Sequence, residues 1–198
     1  MNQEIVRHYD RLIEENNDPF RDPPELRRYM SKWDGDVFWD ALTLDPSKSV
    51  LEIGVGTGRL AAQAAPRCGR LTGIDIAPKT VERARENLKD LPNVTLLCGD
   101  FTEYAFAETF DVVYSSLTMM HFADKRGVIK KAASLLNPGG ILCLSLDKNR
   151  SEWIDMGSRL VKIYPDDPEQ TAQLMTAAGL RVTATQETPF AHIVVGKK

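Results

Sequence analysis

The segment SVLEIGVGTGRL, from Ser49 to Leu60, limits the possible folds more than any other stretch of this chain. A short apolar run without polar alternation is the pattern of a strand buried on both faces, as in a parallel sheet. Gly54, Gly56 and Gly58 come directly after it. Glycines let the chain turn sharply and let a ligand lie directly on the main chain. The helix expected next offers unpaired N–H groups to polar or anionic atoms. A tight strand-to-helix turn without a ligand is the plain alternative.

The same rhythm continues downstream. RLAAQAA reads as a helix stopped by Pro66, and RLTGID as a second strand. Pro78 suits the first turn of the next helix, with Val81, Ala84, Arg85 and Leu88 along one side. VTLLCG and FDVVYSS are further strands, and ADKRGVIKKAASLL is a helix with core spacing. Pro138-Gly139-Gly140 reads as a turn into the strand ILCLSLD. PEQTAQLMTAAG is a helix closed by Gly179, and LRVTATQE with AHIVVGK can pair as an antiparallel hairpin. Strands alternating with helices imply an α/β, doubly wound, parallel sheet.

Upstream of Ser49 the chain is less regular. Ile5, Tyr9, Leu12 and Ile13 share one face of an expected helix ended by Asn16–Pro19. Pro23 and Pro24 interrupt the next stretch, leaving short helices near Pro24–Lys32 and Val37–Leu42. We therefore expect an N-terminal helical cap, residues 1–48, on a core, residues 49–198, in one compact domain.

Ligands of such sheets bind beyond the carboxyl ends of the strands. That rule selects Gly54–Gly58, Asp75, Gly99–Asp100 and Ser115–His121. A dinucleotide fingerprint would place its third glycine one residue later, where Arg59 stands. Glu52 would sit poorly beside a pyrophosphate and suits a ligand carrying an ammonium group. No Gly-Lys-Ser/Thr completes a phosphate-binding loop. Asp75 can accept from both hydroxyls of a ribose, or else cap the next helix, although Ala77 holds the natural capping position. Ile76 can pack on an adenine face. Asp100 can accept from an adenine amino group with Phe101 against the ring, or be a simple turn carboxylate.

Taken in order, these motifs resemble the class I S-adenosylmethionine-dependent methyltransferases. The resemblance runs from about Val50 to Asp147 through EIGVGTG, GIDIA, CGDF, FDVVYSSLTMMHF and LLNPGGILCLSL. The histidine-bearing fourth motif is similar to the branch containing ubiquinone- and menaquinone-pathway enzymes and many small-molecule methyltransferases. The resemblance implies a Rossmann-like, seven-stranded, mostly parallel sheet whose last strand is antiparallel. It implies S-adenosylmethionine as cofactor, with S-adenosylhomocysteine as product. Its methionine end would lie along Glu52, Gly54, Val55, Gly56, Gly58 and Arg59, with Ser115, Ser116 and Leu117 lining that side. Its ribose would meet Asp75, and its adenine Ile76, Asp100 and Phe101. Tyr9, in His-Tyr-Asp, resembles a tyrosine that covers the cofactor, though it equally suits core packing.

His121 comes after the fourth strand, and its ordinary pKa of ~6.5 fits a general base near neutrality. Capping a helix or shaping the pocket wall are its other readings. Trp33, Phe38 and Trp39 either roof a substrate pocket, Trp33 being the candidate cover, or anchor the cap. The fourth motif is not Asn/Asp-Pro-Pro-aromatic, no paired-glutamate loop comes after it, and no catechol-type magnesium set is recognisable. A small, partly apolar methyl acceptor remains. A nicotinamide-dependent oxidoreductase and a non-catalytic cofactor-binding protein of the same fold are the alternatives.

Charge and composition narrow the partners. The formal charge of -3 and the absence of a long basic run argue against nucleic acid. The three cysteines are scattered, with no zinc-ligand spacing, so no metal is expected and a reduced, cytoplasmic setting is. The polar start carries no apolar signal core, and no apolar run reaches the ~20 residues of a membrane span. The sequence leaves monomer or homodimer undetermined.

Overall fold

The computed structural model describes residues 3–157 and 159–198. Met1 and Asn2 of the expected cap, and Ser158 of the expected core, lie outside them. Seven strands form one sheet: β1 (Ser49–Ile53), β2 (Arg70–Asp75), β3 (Val94–Cys98), β4 (Phe110–Ser116), β5 (Leu136–Asp147), β8 (Arg181–Glu187) and β9 (Ala191–Lys197). Their order is β3-β2-β1-β4-β5-β9-β8. The five strands from β1 to β5 are parallel, and β9 runs antiparallel to both of its neighbours. This is the doubly wound, seven-stranded arrangement expected, with the last strand reversed.

Strand residues point alternately to opposite faces, and here both faces are covered. Leu51, Ile53, Val113, Leu142 and Leu144 join a core with α6 (Lys125–Ser134) and α7 (Pro168–Ala177). Val50, Val112, Tyr114 and Cys143 join a second core with α3 (Gly35–Leu42) and α4 (Ala61–Ala64). The parallel strands therefore read as continuous apolar runs. Glu52 lies on the second face, directly beside Tyr114 in register.

The strand order reverses at β1. β2 leaves on one side and β4 on the other, so the loops after β1 and β4 diverge and open a crevice. α1 (Gln3–Glu14) and α2 (Pro24–Met30) cover that edge. α1 is tied to α5 (Pro78–Asn87), where the Asp10 carboxylate accepts from the Lys79 backbone N–H at 2.9 Å and Lys79 pairs with Glu14. That bond satisfies one of the orphan donors of α5's first turn.

Three local expectations change. The helix after the glycine loop is one turn, α4, and Pro66 lies inside a 3-10 turn at Ala65–Arg67 rather than ending an α-helix. Pro138-Gly139-Gly140 is not a turn between elements but a bulge within β5. There the pairing steps from Phe110↔Leu136 to Val112↔Ile141, and Gly139 has φ +79°. A small hairpin of β6 (Trp153–Asp155) and β7 (Leu160–Lys162) has no counterpart in the sequence reading. Its three-residue strands lack the alternating run that marks a strand in sequence.

Candidate active site

A cavity of about 890 Å³ opens at the carboxyl edge of β1, β2 and β4. Glu52, Gly54, Val55, Gly56, Arg59, Asp75, Ile76, Asp100 and Phe101 border it. Ser116, Leu117, His121 and Tyr9 border it as well. Most of the residues singled out in the sequence thus meet around one space.

The glycine loop divides its labour. Gly54, Gly56 and Gly58 all have positive φ, at +76°, +55° and +95°. A Cβ on Gly54 would fall 2.2 Å from Thr118 Oγ1, so this glycine lets the strand-four loop press against β1. A Cβ on Gly58 would fall 2.7 Å from Leu88 Cδ1. Gly58 is absent from the cavity wall. Its expected place on the cofactor is corrected to one in packing, where it seats the loop on the end of α5. Only around Gly56 is there open space: an added Cβ would meet nothing within 4 Å.

Asp75 ends β2 and holds the loop in shape. Its Oδ2 accepts from Gly56 N–H and its Oδ1 from Ala77 N–H, each at 3.0 Å. Burial raises its pKa, and those main-chain donors oppose the rise. Each carboxylate oxygen can accept a second bond. Asp100 Oδ1 accepts from the Thr102 N–H at 2.9 Å and hydroxyl at 2.7 Å, forming the turn anticipated as its alternative. Phe101 is buried against the β1–β4 core while bordering the cavity.

Glu52 is 3% exposed, and the Tyr114 hydroxyl donates to its Oε2 at 2.7 Å. Burial pushes its pKa up to about 8, with the Tyr114 bond and the Arg59 charge working against the rise. The guanidinium is engaged elsewhere: Arg59 Nη1 donates to Asp34 Oδ2 at 2.7 Å. Asp34 is 1% exposed and also accepts from the Ser116 hydroxyl at 2.5 Å. It precedes α3 and fastens the cap to two strand-end loops at once. Sequence reasoning missed Asp34, because nothing local separates it from the other acidic residues of the chain.

Ser115 is corrected. It is fully buried and its hydroxyl donates to the Ile53 carbonyl at 2.8 Å, bracing β4 against β1 behind the cavity wall. Strand alternation turns it away, and Ser116 and Leu117 reach the edge instead. Trp33 is corrected too. It stands outside the cavity wall, donates from Nε1 to Asp147 Oδ2 at 2.9 Å, and stacks near Phe190 at 4.7 Å. It anchors the cap to the end of β5. Met30 and Pro19 supply the cap's apolar wall in its place.

His121 and Tyr9 come together across 112 residues, with Tyr9 Oη 2.7 Å from His121 Nε2. Burial is the main cause of lowering His121 to about 4, and the neighbouring His8 and Lys125 charges add to it. Burial raises Tyr9 above the ordinary phenol range, with Asp75 contributing. Both groups are therefore neutral near pH 7. His121 Nδ1 is buried and has no hydrogen-bond partner among the described residues. The Met119–His121 turn is held from behind by Lys125, whose ammonium donates to Met119 O and Tyr164 O and pairs with Asp166. Among the described residues, no cluster could hold a metal ion and no helix is long and apolar enough to cross a membrane.

An open α/β sheet with a glycine-lined crevice at its switch point, flanked by strand-end carboxylates, defines a nucleoside-binding class of protein. Sequence comparison narrows it. Residues 50–140 match the family model described as a methyltransferase domain. Malonyl-[acyl-carrier protein] O-methyltransferase of Anoxybacillus flavithermus is 36% identical over 109 residues, covering 54% of this chain and 41% of that protein. Nodulation protein S of Sinorhizobium fredii is 25% identical over 118 residues, covering 57% of this chain and 55% of that one. The chain thus spans about half the length, or less, of these curated relatives. Over residues 50–140, somewhat under half of its length, the chain is thus similar to a methyltransferase domain. Solved structures share the fold at low identity. The [4+2]-cyclase SpnF superposes with a TM-score of 0.77 at 16% identity, covering 98% of this chain and 95% of that one. N-methyltransferase NodS from Bradyrhizobium japonicum WM9, in complex with S-adenosyl-l-homocysteine, gives 0.66 at 19%, covering 98% and 97%.

Proposed function

We propose that this protein binds S-adenosylmethionine in the strand-edge cavity and transfers its methyl group to a small-molecule acceptor. One observation carries the reading. Glu52, Gly56, Asp75, Ile76, Asp100 and Phe101, from three separate segments, border a single cavity. The residues fit the cofactor. Gly56 leaves its main chain open to contact, and Glu52 is a buried carboxylate whose donor is a neutral phenol. Asp75 keeps acceptor capacity for ribose hydroxyls, and Ile76 and Phe101 offer apolar surface to an adenine. The match of residues 50–140 to a methyltransferase-domain model supports the same reading. Neither a nicotinamide oxidoreductase nor a non-catalytic binder draws support from a specific feature.

The bound cofactor supplies an electrophilic methyl group on a sulfonium. The chain's task is then positioning and the exclusion of water. Glu52, in its ionised form, would hold the ammonium of the methionine end. Tyr9, on α1, and Met30, at the end of α2, close the cavity from the cap side. His121 faces the acceptor as a neutral imidazole. With its pKa near 4 it is a weak base, suited to an acceptor that is already acidic or to hydrogen bonding without proton transfer.

Calorimetric titration with S-adenosylhomocysteine and with NAD tests the reading. Binding of the first and not the second is expected; the reverse overturns it. Asp75→Ala should weaken S-adenosylhomocysteine binding by about 2–4 kcal/mol if both ribose bonds are made. Unchanged affinity removes Asp75 from the site.

A further inference from the structure

Among the described residues, several charged groups that border the cavity already have hydrogen-bond or ion-pair partners. The Arg59 guanidinium is bound by Asp34. The Lys131 ammonium donates to Thr102 O at 2.9 Å and Tyr104 O at 2.7 Å, and lies over the Phe101 ring. Asp124 caps α6 by accepting from Gly127 N–H. Asp75 holds two main-chain N–H groups, and Glu52 takes the Tyr114 hydroxyl. Asp100, Thr102 and Glu103 lie together just beyond β3 and line the far wall, near Lys131. Behind the strand-four loop, Lys125 is closed off by Asp166 and two carbonyls.

The wall contributed by the cap and the strand-four loop is different. Ile5, Met30, Leu117, Met120 and Tyr164 make it largely apolar. The Tyr164 N–H donates to Met120 O at 2.7 Å, and the Tyr9–His121 bond joins α1 to the same loop. These contacts gather the apolar residues around the Tyr9–His121 pair. Both members of that pair are uncharged near neutrality.

We propose that the methyl acceptor is an electrically neutral, largely apolar molecule whose single polar group meets the Tyr9–His121 pair. This rests on the methyltransferase reading above and names the acceptor class for that same cavity. A carboxylate or phosphate placed against this wall would lose its water while Arg59, Lys125 and Lys131 are already held by other groups, and an ammonium would lose its water there too. Burying an unpaired charge is far more costly than burying a hydroxyl that finds a hydrogen bond. A neutral hydroxyl or carbonyl instead exchanges water for Tyr9 or His121 at little net cost.

The test uses the full chain saturated with S-adenosylhomocysteine and the neutral fluorophore prodan as a reporter. Three competitors of matched shape are compared: 1-naphthol, 1-naphthoate and 1-naphthylmethylammonium. Prodan should bind, and naphthol should displace it at about tenfold lower concentration than either ion. Equal or tighter binding of either ion overturns the inference, as does failure of prodan or naphthol to bind. Tyr9→Phe should weaken naphthol about fivefold while leaving naphthalene unaffected, since only naphthol can use the hydrogen bond. An equal loss for both ligands, or none for naphthol, removes the pair from the acceptor site. Failure to bind S-adenosylhomocysteine at the outset counts against the cofactor reading itself. Cofactor binding without the preference for naphthol counts against this inference alone.

Discussion

The two walls of the cavity are built by different means. On the sheet side, the carboxylates that end β2 and succeed β3 each take a bond from the main chain close by. Asp75 bonds Ala77 two residues away, and Asp100 bonds Thr102 two residues away. On the cap side, the decisive contacts join distant parts of the chain. Ser116 reaches Asp34 across 82 residues and Tyr9 reaches His121 across 112. The sheet wall is polar and rigidly set by local geometry. The cap wall is largely apolar and exists only once the helices have docked. The two walls thus offer a ligand different surfaces: hydrogen-bonding groups on the sheet side and largely apolar side chains on the cap side.

The largest effect should come from cutting the link between the walls. Asp34→Ala takes from the Arg59 guanidinium, at 15% side-chain exposure, its ion-pair partner, and strips Ser116 of its acceptor. Breaking a buried pair in this way costs about 3–5 kcal/mol. Denaturant unfolding should show it as a lower midpoint. A loss under about 1 kcal/mol, the scale of an exposed pair, would mean that the cap is not fastened here.

A smaller and more pointed effect separates two glycines of the same loop. Gly54→Ala combines a positive φ with a clash against Thr118, and should cost about 2–4 kcal/mol of stability. Gly56→Ala meets no neighbour and should cost about 1 kcal/mol of stability from backbone conformation alone. Its main effect should be on S-adenosylhomocysteine affinity. Equal destabilisation by the two would erase the distinction between a packing glycine and a ligand-facing one.

The smallest effect concerns pH. Glu52 titrates near 8 in the fold and near 4.5 when unfolded. Above pH 7 the unfolded chain has already released this proton while the folded protein still holds it. Stability from Glu52 is therefore full below pH 4.5 and is lost as pH rises through 8. His121 and His8, both lowered by burial, work in the opposite sense, and their contribution is the same in the protein and in Glu52→Gln. Between pH 7 and 8.5 the unliganded protein should lose about 1 kcal/mol more than Glu52→Gln does. Parallel curves for the two would show that Glu52 is ionised in the empty site.

The same contrast explains what is legible before folding. Buried parallel strands announce themselves as apolar runs, so β1, β2, β4 and β5 and the carboxylates that end or succeed them can be read directly. Ser115 is misplaced by such a reading because a run apolar on both faces does not say which residue turns to the ligand edge. Gly58 is misplaced because its contact, Leu88, lies at the far end of α5, beyond β2. Trp33 is open between roof and anchor, since an aromatic ring suits either, and only Asp147 and Phe190 decide it.

By itself, the sequence determined the doubly wound sheet, its switch point and the cofactor-binding edge. These arise from short-range patterns: the period of burial, a turn that needs glycine, and a carboxylate at a strand end. Tertiary structure alone decided that Asp34 clasps Arg59 and Ser116, that Tyr9 meets His121, and that Ile5, Met30, Leu117 and Met120 border the same cavity. Those facts depend on which distant segments touch. Burial and pairing, which set the charge state of a side chain, become defined only when the chain has closed around it.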